Sequence, residues 1–222
     1  MVRKDINSFI KTIPSNVTIV AATKYVDIDE MEILFNSGIV NFGENRTDSF
    51  LRKYQLLKHL PISWHFIGHL QRNKAFEVIN KIDYLHSLDS LKLAELINKN
   101  VKKPLKCFVE VSINLEENKN GVPYYEVKDF VKELLKYKNI ELVGFMMMAV
   151  KNSKNESLSV QFKKLRLLKE EIEKEFNIII PYLSMGMSDD YQEAINEGAT
   201  HVRLGRILFK WKRKSHLYYL YV

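Results

Sequence analysis

The chain has 222 residues, 46% hydrophobic and 27% charged, an ordinary globular composition that suits one α/β barrel or two smaller domains. Its one cysteine, Cys107, excludes an internal disulfide and suits a reducing cytoplasm. No apolar run approaches the ~20 residues that span a bilayer, and the amphipathic start "MVRKDINSFIKTI" is unlike a signal peptide. The net charge of +7 is diluted among glutamates in segments such as "KKLRLLKEEIEKEF", which read as solvated helix faces, so no specific nucleic-acid partner is expected.

A helix is expected at residues 3–13. Short apolar runs then alternate with longer amphipathic ones. "VTIVAAT" precedes "DIDEMEILFNSG", "IVNFGEN" precedes "RTDSFLRKYQLLKHL", and "SWHFIG" precedes "QRNKAFEVINK". "IDYLHSL" precedes "DSLKLAELINKN", "LKCFVEVSIN" precedes "PYYEVKDFVKELLKYK", and "IELVGFMMMAV" precedes "ESLSVQFKKLRLLKEEIEKEF". "NIIIPYLSMG" precedes "SDDYQEAINEG", and "THVRLG" comes last, before the tail. The first member of each pair is short and β-branched or aromatic, a strand; the second repeats apolar residues at i, i+3, i+4 and i+7, a helix. Asp27, Asp89 and Ser188 suit helix N-caps, and Gly38 and Gly198 suit the positions just past helix ends.

Eight strands, seven followed by helices and apolar on both faces, predict a parallel sheet closed into a (β/α)₈ barrel. The rival is a doubly wound open sheet, which would place a glycine-rich turn after the first strand where this chain has "TKYVD". No linker or second domain is apparent, so residues 1–222 read as a single domain. The tail from 210 to 222 carries a basic cluster at Lys210, Lys212, Arg213 and Lys214 and is expected to be an appendage.

A barrel concentrates function at the C-terminal ends of its strands. There the chain places Lys24, Glu44 and Asn45, then His65, Gly68 and His69, Met146 to Met148, Ser184 to Gly186, and Arg203, Gly205 and Arg206. Lys24 reads either as a snorkelling surface lysine or as an amine that attacks a carbonyl. "LSMGMSDD" reads either as a plain turn or, with "RLGR" at 203–206, as the phosphate site that recurs after the last two strands of barrels. An amine and a phosphate cradle at one mouth suggest pyridoxal 5′-phosphate (PLP), which has an aldehyde at one end and a phosphate at the other. His65 and His69 have the spacing of a metal pair but straddle a strand end and a loop, so no metal is expected. The methionines of "FMMMAV" read as barrel filling.

At these residues the chain resembles the pyridoxal phosphate homeostasis protein family, whose fold is similar to the barrel domain of alanine racemase. The resemblance runs from about residue 17 to 209. It rests on "AATKY", "NFGEN" at 41–45, "WHFIGHLQRNK" at 64–74, "HSLDS" at 86–90, "LSMGMSDDYQEAINEGATHVRLG" at 183–205 and, more loosely, "KNGV" at 119–122. It implies that Lys24 forms a Schiff base with PLP. It also implies that Ser184 with the adjacent Met185, Gly205 and the backbone at Arg206 hold the phosphate. Asn45 would lie near the phenolic oxygen, and Arg203 would face the pyridine nitrogen and leave it unprotonated. The implied function is to hold, buffer and deliver PLP within the cytoplasm, with apo PLP-dependent enzymes as recipients. The alternative is a racemase-like PLP enzyme. Alanine racemase takes its second base from a further domain, for which the thirteen residues beyond Phe209 are expected to be too few. The chain departs from the family at Arg206, usually a small hydroxyl residue, and after Phe209, where a glycine usually follows.

Overall fold

The apolar runs become strands because each can bury both faces, one toward the barrel interior and one beneath a helix. In the computed structural model, which describes residues 1–113, 120–150 and 157–209, the first of them is β1 (Thr18–Ala22). It pairs in parallel with β2 (Asn41–Glu44), with Ala21 opposite Phe42. The ladder continues through β3 (Ser63–Phe66), β4 (Tyr84–Leu88) and β5 (Leu105–Ser112). A two-residue strand, β6 (Val122–Pro123), lies against the end of β5 and was not anticipated. Next come β7 (Ile140–Met146), β8 (Tyr182–Met187) and β9 (His201–Leu204). β9 pairs back onto β1, with Leu204 opposite Ala21, and closes an eight-stranded parallel ring. The open-sheet alternative is thereby excluded. The tail 210–222 and the beginning of "KNGV" lie outside the described residues.

The helices are α1 (Ile6–Ile10), α2 (Ile28–Asn36), α3 (Thr47–Leu56), α4 (Arg72–Val78), α5 (Leu91–Asn100), α6 (Val127–Leu134), α7 (Leu158–Phe176) and α8 (Tyr191–Asn196). α1 is shorter than the expected 3–13. Its approach is tied to the turn after β9, where Arg3 N–H donates to the Leu208 carbonyl at 3.0 Å. Pairs such as Glu95–Lys99 at 2.6 Å and Arg166–Glu170 at 2.9 Å lie on solvated helix faces, as the charge pattern implied. Among the described residues no helix is long and apolar enough to cross a membrane.

Two of the three N-caps differ from expectation. Asp27 opens α2 in a capping box with Glu30. At α5 the cap is Ser90, whose hydroxyl accepts from Leu93 N–H, while Asp89 faces His69 at 3.2 Å. At α8 the cap position is Asp190, whose carboxylate accepts from Met187 N–H at 2.5 Å, and Ser188 is free for another task. Gly38 and Gly198 take φ of +94° and +92° just past α2 and α8, as expected.

The main core lies between strands and helices. The barrel interior is less apolar than the sequence suggested: Tyr84, His86, Phe108, Tyr182 and His201 form one ring cluster with His65, with centroids 4.2 to 6.2 Å apart. Met146 joins Phe108 and Val143 inside, Met147 joins the main core behind the strands, and Met148 is exposed, so of the three methionines expected to fill the barrel Met146 alone does.

Candidate functional site

At the C-terminal ends of β1, β8 and β9 the barrel opens into a cleft of about 720 Å³. Lys24 and Tyr25 wall it on the β1 side, Ser188 and Asp189 on the β8 side, and Arg203, Gly205 and Arg206 on the β9 side. A hollow of about 690 Å³ at the opposite end, between residues 10–19 and 38–41, has Lys11 as its one charged lining residue among those described. It lies away from the barrel's functional face.

Lys24 follows β1 in a turn closed by Val26 N–H donating to the Thr23 carbonyl at 2.9 Å. Its ammonium is exposed and lies 5.0 Å from the Tyr25 ring centroid. Across the cleft, β9 runs into a 3₁₀ turn at Arg206–Leu208. Gly205 N–H and Ile207 N–H both point at the Ser188 hydroxyl oxygen, each at 3.3 Å. Two main-chain donors converging on one oxygen form the kind of cradle that holds a phosphate oxygen. Gly186 makes the turn into α8 possible. Its φ is +90°, and a Cβ there would stand 2.6 Å from the Ala194 Cβ. Arg206, the family's usual small hydroxyl position, is ion-paired with Asp189, so its charge is partly spent within the cleft wall.

The floor is Arg203, 5% exposed. One terminal nitrogen donates to the Ser184 carbonyl at 2.8 Å and to the Ser184 hydroxyl at 2.7 Å; the other donates to the Met147 carbonyl at 2.8 Å. From Ser184 a chain descends through the barrel: His86 Nδ1 at 2.9 Å, His86 Nε2 to His65 Nδ1 at 2.8 Å, and His65 Nε2 to Asn41 Oδ1 at 3.1 Å. The ends set its direction. Asn41 Oδ1 can only accept, so His65 carries its proton on Nε2 and accepts at Nδ1 from His86 Nε2–H. His86 Nδ1 then accepts from the Ser184 hydroxyl, whose oxygen accepts from Arg203. Both rings are neutral in this arrangement, which matches their pKa values, held well below the usual range by burial. Burial also lowers Arg203 to about 10, offset in part by Glu110 and Asp190.

Of the residues singled out in the sequence, Lys24, Arg203, Gly205 and Arg206 meet in the cleft. Ser184 and Met185 do not line it. β8 runs on to Met187, which sets Ser184 in the interior and Met185 in the core behind the strand. Asn45 follows β2, outside the cleft lining, with its side-chain Oδ1 buried and unbonded among the described residues; Gly68 packs against its backbone, where a Cβ would run into the Asn45 carbonyl oxygen. His65 lies inside the barrel and His69 at the rim beside Asp89, so the two share no ligand geometry. Sequence reasoning missed Ser188 as a cleft residue, and it missed Lys53. Lys53 is a fully buried lysine on α3 beside Phe50 and Tyr54, and among the many lysines of this chain nothing local marks it as buried.

The chain matches the family described as alanine racemase, N-terminal domain, over residues 18–212. A protein of Aquifex aeolicus named pyridoxal phosphate homeostasis protein is 39% identical over 194 residues, covering 86% of this chain and 85% of that one. PipY of Synechococcus elongatus, solved with PLP bound, superposes with a TM-score of 0.84 at 28% identity, over 92% of this chain and 100% of that one. Alanine racemase of Clostridium difficile is similar in fold, with a TM-score of 0.75 at 15% identity, and this chain covers 59% of it. With the motifs in place along a closed barrel, the chain belongs to the pyridoxal phosphate homeostasis protein family, among the barrels of the alanine racemase N-terminal type.

Proposed function

We propose that the protein holds PLP in the cleft between Lys24 and the Gly205–Ile207 turn, buffers it, and delivers it to apo forms of PLP-dependent enzymes. The observation that carries this reading is the pairing of one primary amine with two convergent backbone donors across a single cleft. When bound, PLP supplies an electrophilic aldehyde for an amine and a phosphate for an anion cradle. Lys24 holds the aldehyde end. Gly205 N–H, Ile207 N–H and the Ser188 hydroxyl hold the phosphate, with Arg206 beside it. Ser188 takes the role that resemblance gave to Ser184, whose hydroxyl is committed to Arg203 and His86. Asn45 stays assigned to the phenolic oxygen by resemblance, and its buried unbonded Oδ1 marks a polar group in want of a partner.

Arg203 supports holding over turnover. Even lowered to about 10 it remains a cation at neutral pH, and a guanidinium donor facing the pyridine nitrogen leaves that nitrogen unprotonated and the ring a weak electron sink. The relatives' names, homeostasis proteins and not racemases, support the same choice over the racemase-like alternative. We place the protein in the cytoplasm, consistent with its one cysteine, buried and with its thiol pKa pushed up by burial.

Borohydride reduction of the PLP-loaded protein should fix one cofactor to Lys24, read by peptide mass. Lys24→Ala should abolish fixation while retaining phosphate-dependent binding. Equal trapping at another lysine in that variant would overturn the assignment.

A further inference from the structure

A buried ion pair stands directly behind the turn that carries Lys24, and the cofactor reading does not use it. Glu44 closes β2 and Lys53 lies on the barrel-facing side of α3; they are 0% and 1% exposed, with Nζ 2.6 Å from Oε1. Lys53 Nζ also donates to the Thr23 carbonyl at 2.5 Å. The Thr23 hydroxyl donates to Glu44 Oε1 at 2.6 Å, and Thr23 N–H donates to the Gly43 carbonyl at 3.0 Å. Every polar group of Thr23 is therefore held, and Thr23 is the residue before Lys24. Its carbonyl is also the acceptor that closes the turn through Val26 N–H.

Burying two charges is costly, and well-packed apolar residues are often at least as stabilising as a buried pair. The arrangement here is not the best satisfied one either: Glu44 Oε2 has no hydrogen-bond partner among the described residues. What the pair does achieve is local. A cation and a carboxylate fix one residue by its carbonyl and its hydroxyl, and that residue anchors a two-residue tip bearing Lys24 and Tyr25. The Lys24 side chain is exposed, so the position of its backbone is set by the turn from Thr23 to Val26.

We propose that Lys53 and Glu44 are positioning residues for Lys24. They lock the Thr23–Val26 turn so that the ε-amine meets the aldehyde carbon of a ligand whose phosphate rests on the Gly205–Ile207 turn. This rests on the cofactor reading above.

The test separates the two ends of the ligand. Pyridoxamine 5′-phosphate has the same ring and phosphate but an amine in place of the aldehyde, so it reports on the cleft without bonding to Lys24. A Lys53→Met change alone would strand a buried carboxylate and could unfold the protein, so the variant is Glu44→Gln with Lys53→Met, which removes both charges together. The thermal midpoint and the pyridoxamine phosphate affinity should stay near those of the unaltered chain. PLP affinity and the rate of borohydride trapping at Lys24 should fall by about ten- to a hundred-fold, as for a misplaced reacting group. Should that variant not fold, Thr23→Val keeps both charges and removes one hydroxyl donor. It should weaken PLP about two- to ten-fold, as for one hydrogen bond, and leave pyridoxamine phosphate unchanged. An equal effect on both ligands, or on neither, overturns the positioning role. If the unaltered chain traps no PLP at Lys24, the cofactor reading fails and the positioning role fails with it.

Discussion

Ser184 and Ser188 lie four residues apart in one motif, and the structure separates their tasks. Ser184 bridges Arg203 to His86 inside the barrel, while Ser188 faces the Gly205 and Ile207 N–H groups at the cleft. Sequence could place both near the end of a strand but could not say which faced the mouth, because that depends on where the strand stops. Lys24, Arg203 and Gly205 were legible because each sits at or just past a strand end that the apolar run itself marks. Lys53 was not, since a lysine in a lysine-rich amphipathic helix reads as solvent-facing until the opposing Glu44 is seen. The division between the serines has a direct test. Ser188→Ala should narrow the preference for PLP over pyridoxal, by the roughly 1.5–3 kcal/mol of a hydrogen bond to a charged group at most. Ser184→Ala should leave that preference intact and lower stability by about 1–3 kcal/mol, because His86 and Arg203 lose a buried partner. Comparing the affinity ratio of the two vitamers with the urea midpoint in each variant decides the matter. A Ser184→Ala protein that binds PLP and pyridoxal alike would restore Ser184 to the phosphate.

At the scale of the element, the unit that builds the cleft is the passage from β8 into α8. The strand ends at Met187, the next two residues face the cleft, and Asp190 ties the corner by accepting the Met187 N–H. Hydropathy marked the strand and the helix but drew the strand's end one residue early, at Gly186, because a glycine reads as a turn although the alternation of Met185 and Met187 carries on past it. Gly186 is what allows pairing and turn to coexist. Alanine there would force a side chain into the left-handed region and against Ala194. Gly186→Ala should therefore destabilise the fold by about 2 kcal/mol or more and reduce PLP content by tilting Ser188 away from the Gly205–Ile207 donors. Urea unfolding and cofactor absorbance measure the two effects. A variant with unchanged midpoint would mean that α8 shifts freely and does not brace the cleft. By contrast, Asp27 with Glu30 at α2 was readable outright, because a capping box needs only residues three apart.

For the whole molecule, closure of the ring was legible in the count of alternating runs, while its polar interior was only half so. "SWHF" and "YLHSL" alternate ring-bearing polar residues with apolar ones, which places His65 and His86 on one face, but nothing local says that this face is inside. Their burial makes stability depend on pH with a definite sign. His65, His86 and His201 are neutral when folded, with pKa values lowered chiefly by burial, His201 to about 4. Below the ordinary histidine value of about 6.5 the unfolded chain takes up protons that the folded one refuses, so each group costs about 1.4 kcal/mol per pH unit as pH falls. Glu110 acts in the opposite sense. Burial, with a smaller push from Asp89, raises it to about 7 against some relief from Arg203. Between about 4.5 and 7 the folded state therefore keeps a proton the unfolded state has lost, and stability falls as pH rises. Three groups outweigh one, so urea midpoints should climb from pH 4.5 to about 6.5 with a net slope near two protons. They should then dip slightly to about pH 7, where Glu110 acts alone. Glu110→Gln should remove the dip and steepen the acid limb by about one proton. A flat profile between pH 5 and 6.5 would mean that the buried histidines accept charge within the barrel, and the directional chain from Asn41 to Arg203 would have to be redrawn.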